Sequence, residues 1–312
     1  MRKQIIHVEP IFKERIWGGT QIKTRYNGKS ELDRIGEMWC VCALKGNGDN
    51  PLTEINMSLS EAYEKLPEWF DCKSERFPIR CTLMDPIDNL SVQVHPNEKF
   101  ARSNYDSYGK HEAWYIIDAH KNPLIQFGHK AKTKEEFIKL AQANRWTELL
   151  AYEHIKTGDF IDVPSGTVHA IGKDTLTFEV ARNSDITFRI FDYNRIDRKT
   201  GASRDLHLES ALQVLNFPHH EKGPIHPKPV LSEGILLSTF IDEAGKYSLF
   251  KVQNKTKGKF NCDYFYFITL IEGEGKVNGI SLKIGETLFV PAHFGPIEFD
   301  GELTALISSY KD

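Results

Sequence analysis

Short runs of alternating apolar and polar residues cover most of the chain and are separated by Gly, Pro, Asn and Asp. A period of two places successive side chains on opposite faces of a strand, so this pattern predicts strands with one buried face. The alternation is clearest in residues 35–44, 89–95, 112–118, 175–180, 185–191 and 264–271. Many short strands with frequent turn residues indicate an all-β sandwich or barrel.

Helical patterns are few and short. Ser58 and Thr133 each precede a Glu by three residues, which is the capping box that marks a helix N-terminus. In a third segment, apolar residues recur at Leu208, Ala211 and Leu215, as on one buried face of a helix. The sequence therefore predicts helices over residues 58–69, 133–152 and 206–217.

A proline-rich segment follows the third predicted helix. Residues 218–229 contain four prolines, which exclude a continued helix or a central strand. We expect this connector to separate two domains. Residues 1–217 form a β-barrel with a helical insertion at about 131–153, and residues 230–312 form a smaller β-barrel.

Two features near these domain edges have more than one interpretation. His219, His220 and His226 lie in the connector, where histidines are more often solvated than bound to a metal. The N-terminal residues 1–10 are able to supply a strand to either barrel.

A short internal repeat links the two predicted barrels. Residues 158–164 read G-D-F-I-D-V-P and residues 285–291 read G-E-T-L-F-V-P. This similarity predicts that the same corner occurs once in each barrel. The first copy continues to His169, whereas the matching position of the second copy is Pro296, so only the first barrel retains a histidine there.

Composition and charge exclude several classes of protein. The 40 Lys and Arg against 43 Asp and Glu give a formal net charge of -3, which argues against a nucleic-acid or anionic-membrane partner. No apolar run approaches the ~18 residues of a membrane span, and the N-terminus lacks a signal-peptide pattern. Five cysteines without a C-x-x-C pair argue against a disulfide framework and favour the cytoplasm. We expect a monomer or weak homo-oligomer.

Four polar residues on predicted strands form a candidate metal site. Gln93 and His95 are two residues apart and share one face of a strand, while Glu112 and His169 lie on other strands. Two imidazoles, a carboxylate and an amide oxygen suit a divalent metal that keeps a coordination position open. The alternative is that each histidine is only a hydrogen-bonded residue of the barrel interior. That alternative explains a single histidine well, but it explains poorly why all four polar residues occur together at this spacing.

These residues belong to motifs that resemble the cupin barrels. The segment G-x5-P-x-G-x2-H at 158–169 resembles the second cupin signature, and Q-x-H at 93–95 with Glu112 resembles the first. The chain departs from the pattern in the glutamine, in a sixteen-residue gap before Glu112, and in Lys173 where many cupins have Asn.

Together with I-W-G-G at 16–19 and F-R-I-F-D-Y-N-R at 188–195, the motifs resemble type I mannose-6-phosphate isomerases in their short bacterial form. The resemblance implies two cupin-like jelly-roll barrels with a small helical insertion, the second barrel being degenerate. It also implies a cytoplasmic zinc enzyme that interconverts mannose 6-phosphate and fructose 6-phosphate. At matching positions, one Zn²⁺ per chain would be bound by His95, Glu112, His169 and Gln93, and Arg189 would be catalytic.

The reaction also needs a base for proton transfer through an enediolate. Lys110 shares a strand face with Glu112, close to a dication that lowers the pKa of an ammonium, so it is the candidate base. Arg189 is permanently charged and planar, which suits an oxyanion rather than proton abstraction. Its alternative role is a structural salt bridge to Asp185 or Asp192.

A cationic anchor for the phosphate and walls for the sugar complete the expected site. Arg195, six residues beyond Arg189, is the candidate anchor, and Trp17 is a candidate substrate-binding wall. Further candidates are Lys99 and Arg102 for the phosphate and Trp114 for the sugar.

Two other functions stay compatible with the sequence. The same ligand set describes non-haem iron sites, so a cupin dioxygenase is one alternative. A non-enzymatic sugar-binding cupin is the other, although no helix-turn-helix pattern or basic arm accompanies the barrels.

Overall fold

The computed structural model of the protein describes residues 1–26, 30–120, 123–197, 200–220 and 222–312. Antiparallel β-sheets dominate it, and each of the six alternating segments contributes a strand. The all-β fold class predicted from the period-two pattern is therefore confirmed.

The first barrel consists of two facing sheets. In spatial order, the six-stranded sheet contains Phe160–Val163, Glu112–Ala119, Thr175–Arg182, Ile79–Met84, Glu37–Val41 and Ile11–Lys13. The five-stranded sheet contains Leu150–His154, Leu124–His129, His169–Ala170, Val92–Val94 and Phe188–Phe191. Apolar side chains of both sheets, Val92, Val94, Trp114 and Ile116 among them, fill the space between.

The second barrel has a nine-stranded and a four-stranded sheet. In spatial order, the larger sheet contains Val230–Ser232, Ile235–Ile241, Lys246–Asn254, Leu303–Lys311, Tyr266–Gly273, Thr287–Val290, Ile6–Val8, Pro51–Leu52 and Met57–Ser58. The smaller sheet contains Lys257–Phe260, Ile297–Asp300, Gly275–Val277 and Ile280–Leu282. A separate hairpin pairs Ala43–Leu44 with Gly48–Asp49.

The N-terminal strand belongs to the second barrel. Ile6–Val8 pairs with Thr287–Val290, and Val8 also pairs with Leu52. The larger sheet of the second barrel is thus completed by residues from the start of the chain. The division into residues 1–217, 218–229 and 230–312 stays a prediction.

The repeated G-to-P segment forms the same corner in each barrel. Gly158 and Gly285 have φ of +90° and +88°, a left-handed conformation that favours glycine. Each is followed by a strand that pairs with a long central strand, Phe160–Val163 with Glu112–Ala119 and Thr287–Val290 with Tyr266–Gly273. The structure therefore supports the repeat inferred from the sequence.

The helices are shorter than the sequence pattern predicts. They are Gln21–Arg25, Leu59–Lys65, Pro67–Phe70, Glu98–Tyr105, Lys134–Gln142, Trp146–Leu149 and Leu208–Ala211, with a 3₁₀ turn at Thr53–Ile55. In the described part of the chain, no helix has the length and apolar character needed to cross a membrane.

Each predicted helix requires a correction at its C-terminal side. The Ser58 capping box is present, but Pro67 starts a second helix, so 58–69 is interrupted. The segment 133–152 is wrong beyond residue 149, because Leu150–His154 joins the five-stranded sheet. The segment 206–217 holds only the short helix Leu208–Ala211.

An aromatic core joins the two barrels back to back. Residues of the six-stranded sheet alternate, so that Trp114 faces the first barrel interior while Ala113 and Tyr115 face this central core. From the second barrel, the buried side chains of Phe267 and Phe289 enter the same core. The barrels therefore share a hydrophobic interior instead of meeting at a polar surface.

Phe289→Ala should destabilise the whole protein through this shared core. The Phe289 ring is fully buried and lies 4.9 Å from Phe70 and 5.2 Å from Phe267. We expect the free energy of unfolding, measured by urea denaturation, to fall by about 3–5 kcal/mol. The control is Leu231→Ala, whose side chain is 73% exposed in the same sheet. Equal effects of the two substitutions would contradict the assigned core.

Candidate active site

Neighbouring strands of the five-stranded sheet bring three predicted site residues into one row. Gln93 pairs across the sheet with His169 on one side and with Arg189 on the other. Directly opposed residues point to the same face, so all three side chains share the barrel interior. His95 lies two residues beyond Gln93 and shares that face.

A tight turn fixes His169 against the His95 strand. Gly166 has a φ of +85°, and its amide donates to the carbonyl of His95 over 2.9 Å. A Cβ at this position would lie 2.6 Å from the side chain of Asn216, so glycine is required by both conformation and space. The glycine of the sequence motif therefore sets the distance between the two histidines.

The structure brings His95, Glu112 and His169 together as a buried group. Nε2 of His95 lies 3.2 Å from Oε2 of Glu112, and Nε2 of His169 lies 3.3 Å from Oε1. One donor atom from each residue lies within 4.8 Å of the others. In the part of the chain that the structure describes, this is the one His, Cys, Asp and Glu group with such geometry.

Both imidazoles present Nε2 to the centre of the group. Nδ1 of His95 lies 2.8 Å from the carbonyl of Ile186, and Nδ1 of His169 lies 2.9 Å from the carbonyl of Thr167. A carbonyl only accepts, so each Nδ1 carries the proton and each Nε2 keeps a lone pair. Burial lowers the pKa of His95 and lowers the pKa of His169 to about 4. Neutral imidazoles with inward lone pairs fit a metal ion.

Gln93 lies beside the group but presents its amide nitrogen to it. Nε2 of Gln93 is 3.4 Å from Nε2 of His169. Since His169 Nε2 accepts, this arrangement is a weak hydrogen bond in the absence of an ion. As a metal ligand, Gln93 would have to offer its amide oxygen instead.

Cationic and polar neighbours keep the buried Glu112 ionised. Trp114 Nε1 donates to Oε1 over 2.9 Å, and Lys110 Nζ lies 2.7 Å from Oε2. Burial alone would raise the pKa of Glu112, but neighbouring charge, that of Lys110 above all, outweighs it and holds the pKa well below its usual value. The carboxylate is therefore available as an anionic metal ligand.

Lys110 is buried between two carboxylates. Its Nζ also lies 3.5 Å from Glu179 Oε1 and 3.5 Å from His95 Nε2. Burial lowers the pKa of Lys110, but Glu112 and Glu179 outweigh it and raise the pKa above the ordinary value. Burial, followed by the charge of Glu112, raises the pKa of Glu179 to about 7.

A buried charged network that no sequence motif indicates lies beside the site. Arg80 Nη1 pairs with Asp185 over 2.8 Å, its Nη2 lies 4.0 Å from Glu37, and Glu179 completes the group near Lys110. The available signal was a charged residue inside an apolar strand, as in T-L-T-F-E-V-A at 175–181 and I-R-C-T-L-M at 79–84.

The group opens on a cavity of about 1070 Å³. Trp17 and Trp114 line it, as expected for walls of a sugar site, although both are almost fully buried. The polar lining includes Gln93, Lys110, Glu112, His169, Glu179, Arg80, Asp185, Arg189, Arg195 and Arg204. The candidate ligands Gln93, Glu112 and His169 therefore line the same cavity as the candidate arginines.

Arg189 is held without a salt bridge among the described residues. Its Nε donates to Ser91 Oγ over 3.2 Å and its Nη1 donates to the carbonyl of Asp205 over 2.8 Å. Asp185 pairs with Arg80 and Asp192 pairs with two other arginines, so neither carboxylate forms the alternative salt bridge.

The three candidates for the phosphate anchor differ in position. Arg195 lines the cavity, where it pairs with Asp192 and lies 3.2 Å from Asp88. Lys99 and Arg102 lie on the helix Glu98–Tyr105 and do not line the cavity, and Arg102 pairs with Glu98 over 2.7 Å. Of the predicted anchors, only Arg195 is near the candidate ligands.

The connector histidines do not form a second group. His226 Nε2 lies 3.3 Å from Asp159, and the ring of His219 packs 5.6 Å from Phe127. Neither residue belongs to the single group with metal-binding geometry among the described residues.

Comparison with known proteins identifies close relatives over the full length. Residues 5–129 match the family described as phosphomannose isomerase type I, catalytic domain. The chain is 36% identical over 322 residues to mannose-6-phosphate isomerase ManA of Bacillus subtilis, covering 99% of both chains. It is 32% identical to the mannose-6-phosphate isomerase of Streptococcus mutans, covering 96% of this chain and 98% of that one.

The fold agrees with the sequence relationship. The structure matches the crystal structure of the mannose 6-phosphate isomerase from Bacillus subtilis with a TM-score of 0.92 and 32% identity, covering 98% of this chain and 99% of that one. This match confirms the cupin-like two-barrel architecture that the motifs imply. With similarity of this extent in both sequence and structure, the chain belongs to the type I phosphomannose isomerases.

Proposed function

We propose that this chain is an aldose–ketose isomerase that interconverts mannose 6-phosphate and fructose 6-phosphate with one bound zinc ion. The observation that carries the proposal is the buried group of His95, Glu112 and His169, which opens on a cavity lined by arginines. The full-length relatives support the substrate pair, since they are mannose-6-phosphate isomerases.

Four residues of this chain would hold the ion. His95 and His169 offer Nε2, Glu112 offers a carboxylate oxygen, and Gln93 would add its amide oxygen. Such nitrogen and oxygen donors suit zinc in a catalytic site with an open position. When bound, the ion supplies a Lewis acid for the oxygens at C1 and C2 of the sugar. The donors also suit non-haem iron, so the choice of zinc rests on the family.

Lys110 is proposed as the group that moves the proton. The isomerisation transfers a proton from C2 to C1 through an enediolate and moves the hydroxyl proton from O2 to O1, so no external oxidant is needed. Nζ of Lys110 lies at the cavity wall beside Glu112. Lys110 would take the proton from C2 in its neutral form and return the same proton to C1, and a cation bound beside Glu112 would favour that neutral form.

Arg189 is proposed to stabilise negative charge on the substrate. Its guanidinium is on the face that carries Gln93 and His169, and it has no carboxylate partner among the described residues. A planar, permanently charged group there suits an oxyanion. Trp17 and Trp114 are proposed to confine the carbon chain. The cytoplasmic location and the monomer or weak homo-oligomer stay predictions.

A coupled assay tests the reaction itself. The purified protein should form fructose 6-phosphate from mannose 6-phosphate. It should lose that activity after chelation and regain it with added zinc, because the proposed ligand group holds the ion at the cavity where the sugar binds. A protein that contains iron and consumes oxygen would be a dioxygenase, and one that binds the sugar without turnover would be a binding protein. Either result contradicts the proposed isomerase.

His169→Ala should remove most of the bound zinc. The substitution deletes one of two inward imidazoles, so we expect metal analysis to find well below one zinc per chain after dialysis. His154→Ala, at an exposed position, is the matched control and should keep the stoichiometry of the unaltered protein. Retention of a full equivalent of zinc by His169→Ala would exclude this ligand set.

Lys110→Met should lower kcat by about 10²–10⁴-fold, the usual contribution of a positioned acid or base. Methionine keeps the length of the side chain but cannot carry a proton. The control is Lys139→Met, on the exposed face of a remote helix, which should leave kcat unchanged. Turnover of Lys110→Met within a few-fold of the unaltered protein would remove Lys110 from the mechanism, provided that zinc content is equal.

A further inference from the structure

Arg204 lies in the arginine-lined end of the cavity, and no motif of the sequence identified it. Its Nε donates to Oδ2 of Asp192 over 2.8 Å and its Nη2 donates to Oδ1 over 2.6 Å. This two-point contact fixes the plane of the guanidinium, since Asp192 is itself buried. Nη1 has no hydrogen-bond partner among the described residues, so Arg204 keeps donors for a ligand.

Arg195 is already committed to the protein. Its Nε and Nη2 contact Asp192, and its Nη1 contacts both Asp88 and the carbonyl of Asn89. A phosphate that used Arg195 would have to displace these contacts. Arg195 therefore has fewer uncommitted donors than Arg204, and its predicted role as an anchor stays a prediction.

Arg189 and Arg204 are held side by side. The amide of His207 donates to the carbonyl of Arg189 over 2.7 Å, and Nη1 of Arg189 donates to the carbonyl of Asp205 over 2.8 Å. The chain that follows Arg204 is thus fastened to the strand of Arg189. Burial, together with the charge of Arg204, lowers the pKa of Arg189, as expected for neighbouring cations.

We propose that Arg204, held by Asp192, binds the phosphate of the substrate at the arginine end of the cavity. This inference rests on the proposed function, which supplies a substrate with one phosphate. The row of His169, Gln93 and Arg189 across neighbouring strands runs from the candidate metal group to the arginines. The phosphate on C6 is four carbons from C2, so it belongs at the arginine end when C1 and C2 lie at the metal end.

Arg204→Gln separates phosphate binding from catalysis. We expect the KM for mannose 6-phosphate to rise by about 10- to 100-fold, which corresponds to one lost charged hydrogen-bonding partner. The kcat should change by less than about threefold, because the reacting carbons lie at the other end. The inhibition constant of inorganic phosphate should rise in parallel with KM, which a general loss of structure would not produce.

Two controls make the result decisive. Arg102→Gln removes a cavity-remote arginine and should leave KM unchanged. Arg204→Lys keeps the charge without the two-point contact, so it should give an intermediate KM and serves if Arg204→Gln does not fold. An unchanged KM and phosphate inhibition in both Arg204 variants would overturn the proposal, as would a loss confined to kcat.

The failure of this inference is distinguishable from failure of the proposed function. If the unaltered protein does not isomerise mannose 6-phosphate, the proposed function is wrong. Calorimetric titration with inorganic phosphate then still tests Arg204, because it needs no turnover. Weaker binding by Arg204→Gln than by Arg102→Gln supports the anion site, and equal binding contradicts it.

Discussion

The active site depends on the burial of one carboxylate. Glu112 is 1% exposed, and an isolated charge in such a place would be strongly destabilising. Lys110 at 2.7 Å and the Trp114 indole compensate for it. The same neighbours also fix the orientation of the Glu112 side chain. The contacts that stabilise its buried charge therefore preorganise it as a metal ligand. Loss of any partner therefore alters both stability and chemistry.

The second barrel contributes packing to this arrangement, and among the described residues it supplies no member of the ligand group. Glu112 starts a strand whose alternate residues, Ala113 and Tyr115, pack into the core that the barrels share. Phe267 and Phe289 enter that core from the other side, and Cys81 contacts Ser308 over 3.2 Å across it. Because the six-stranded sheet is packed on both faces, the strand that carries Glu112 is held in place by close packing. The second barrel, which has Pro296 at the position that matches His169, therefore has a packing role.

Sequence motifs were sufficient to predict the candidate metal ligands, but not the charged residues that surround them. Gln93, His95, Glu112 and His169 lie in motifs with fixed spacing, and the structure places them together. Glu179, Arg80 and Arg204 have partners in other segments of the chain, and no spacing along the sequence indicates such pairs. The helix predicted over 206–217 was too long at its end, where the amide of Asn216 donates to the carbonyl of Gly166 instead of to a helical carbonyl. The apolar periodicity of a segment predicts which face of a helix is buried, but it gives no information about a hydrogen bond to a distant residue that competes with the helix.

The two ends of the cavity hold their charges differently, and the difference suits an isomerase. At the metal end, His95, Glu112 and Lys110 are almost fully buried and contact each other directly. At the other end, the side chains of Arg195 and Arg204 are 15% and 22% exposed and meet at Asp192. Catalysis requires fixed groups where charge develops, whereas a phosphate must enter and leave in each turnover. A partly exposed arginine cluster beside a fully buried ligand group provides both within one cavity: fixed groups for catalysis and an accessible site for the phosphate.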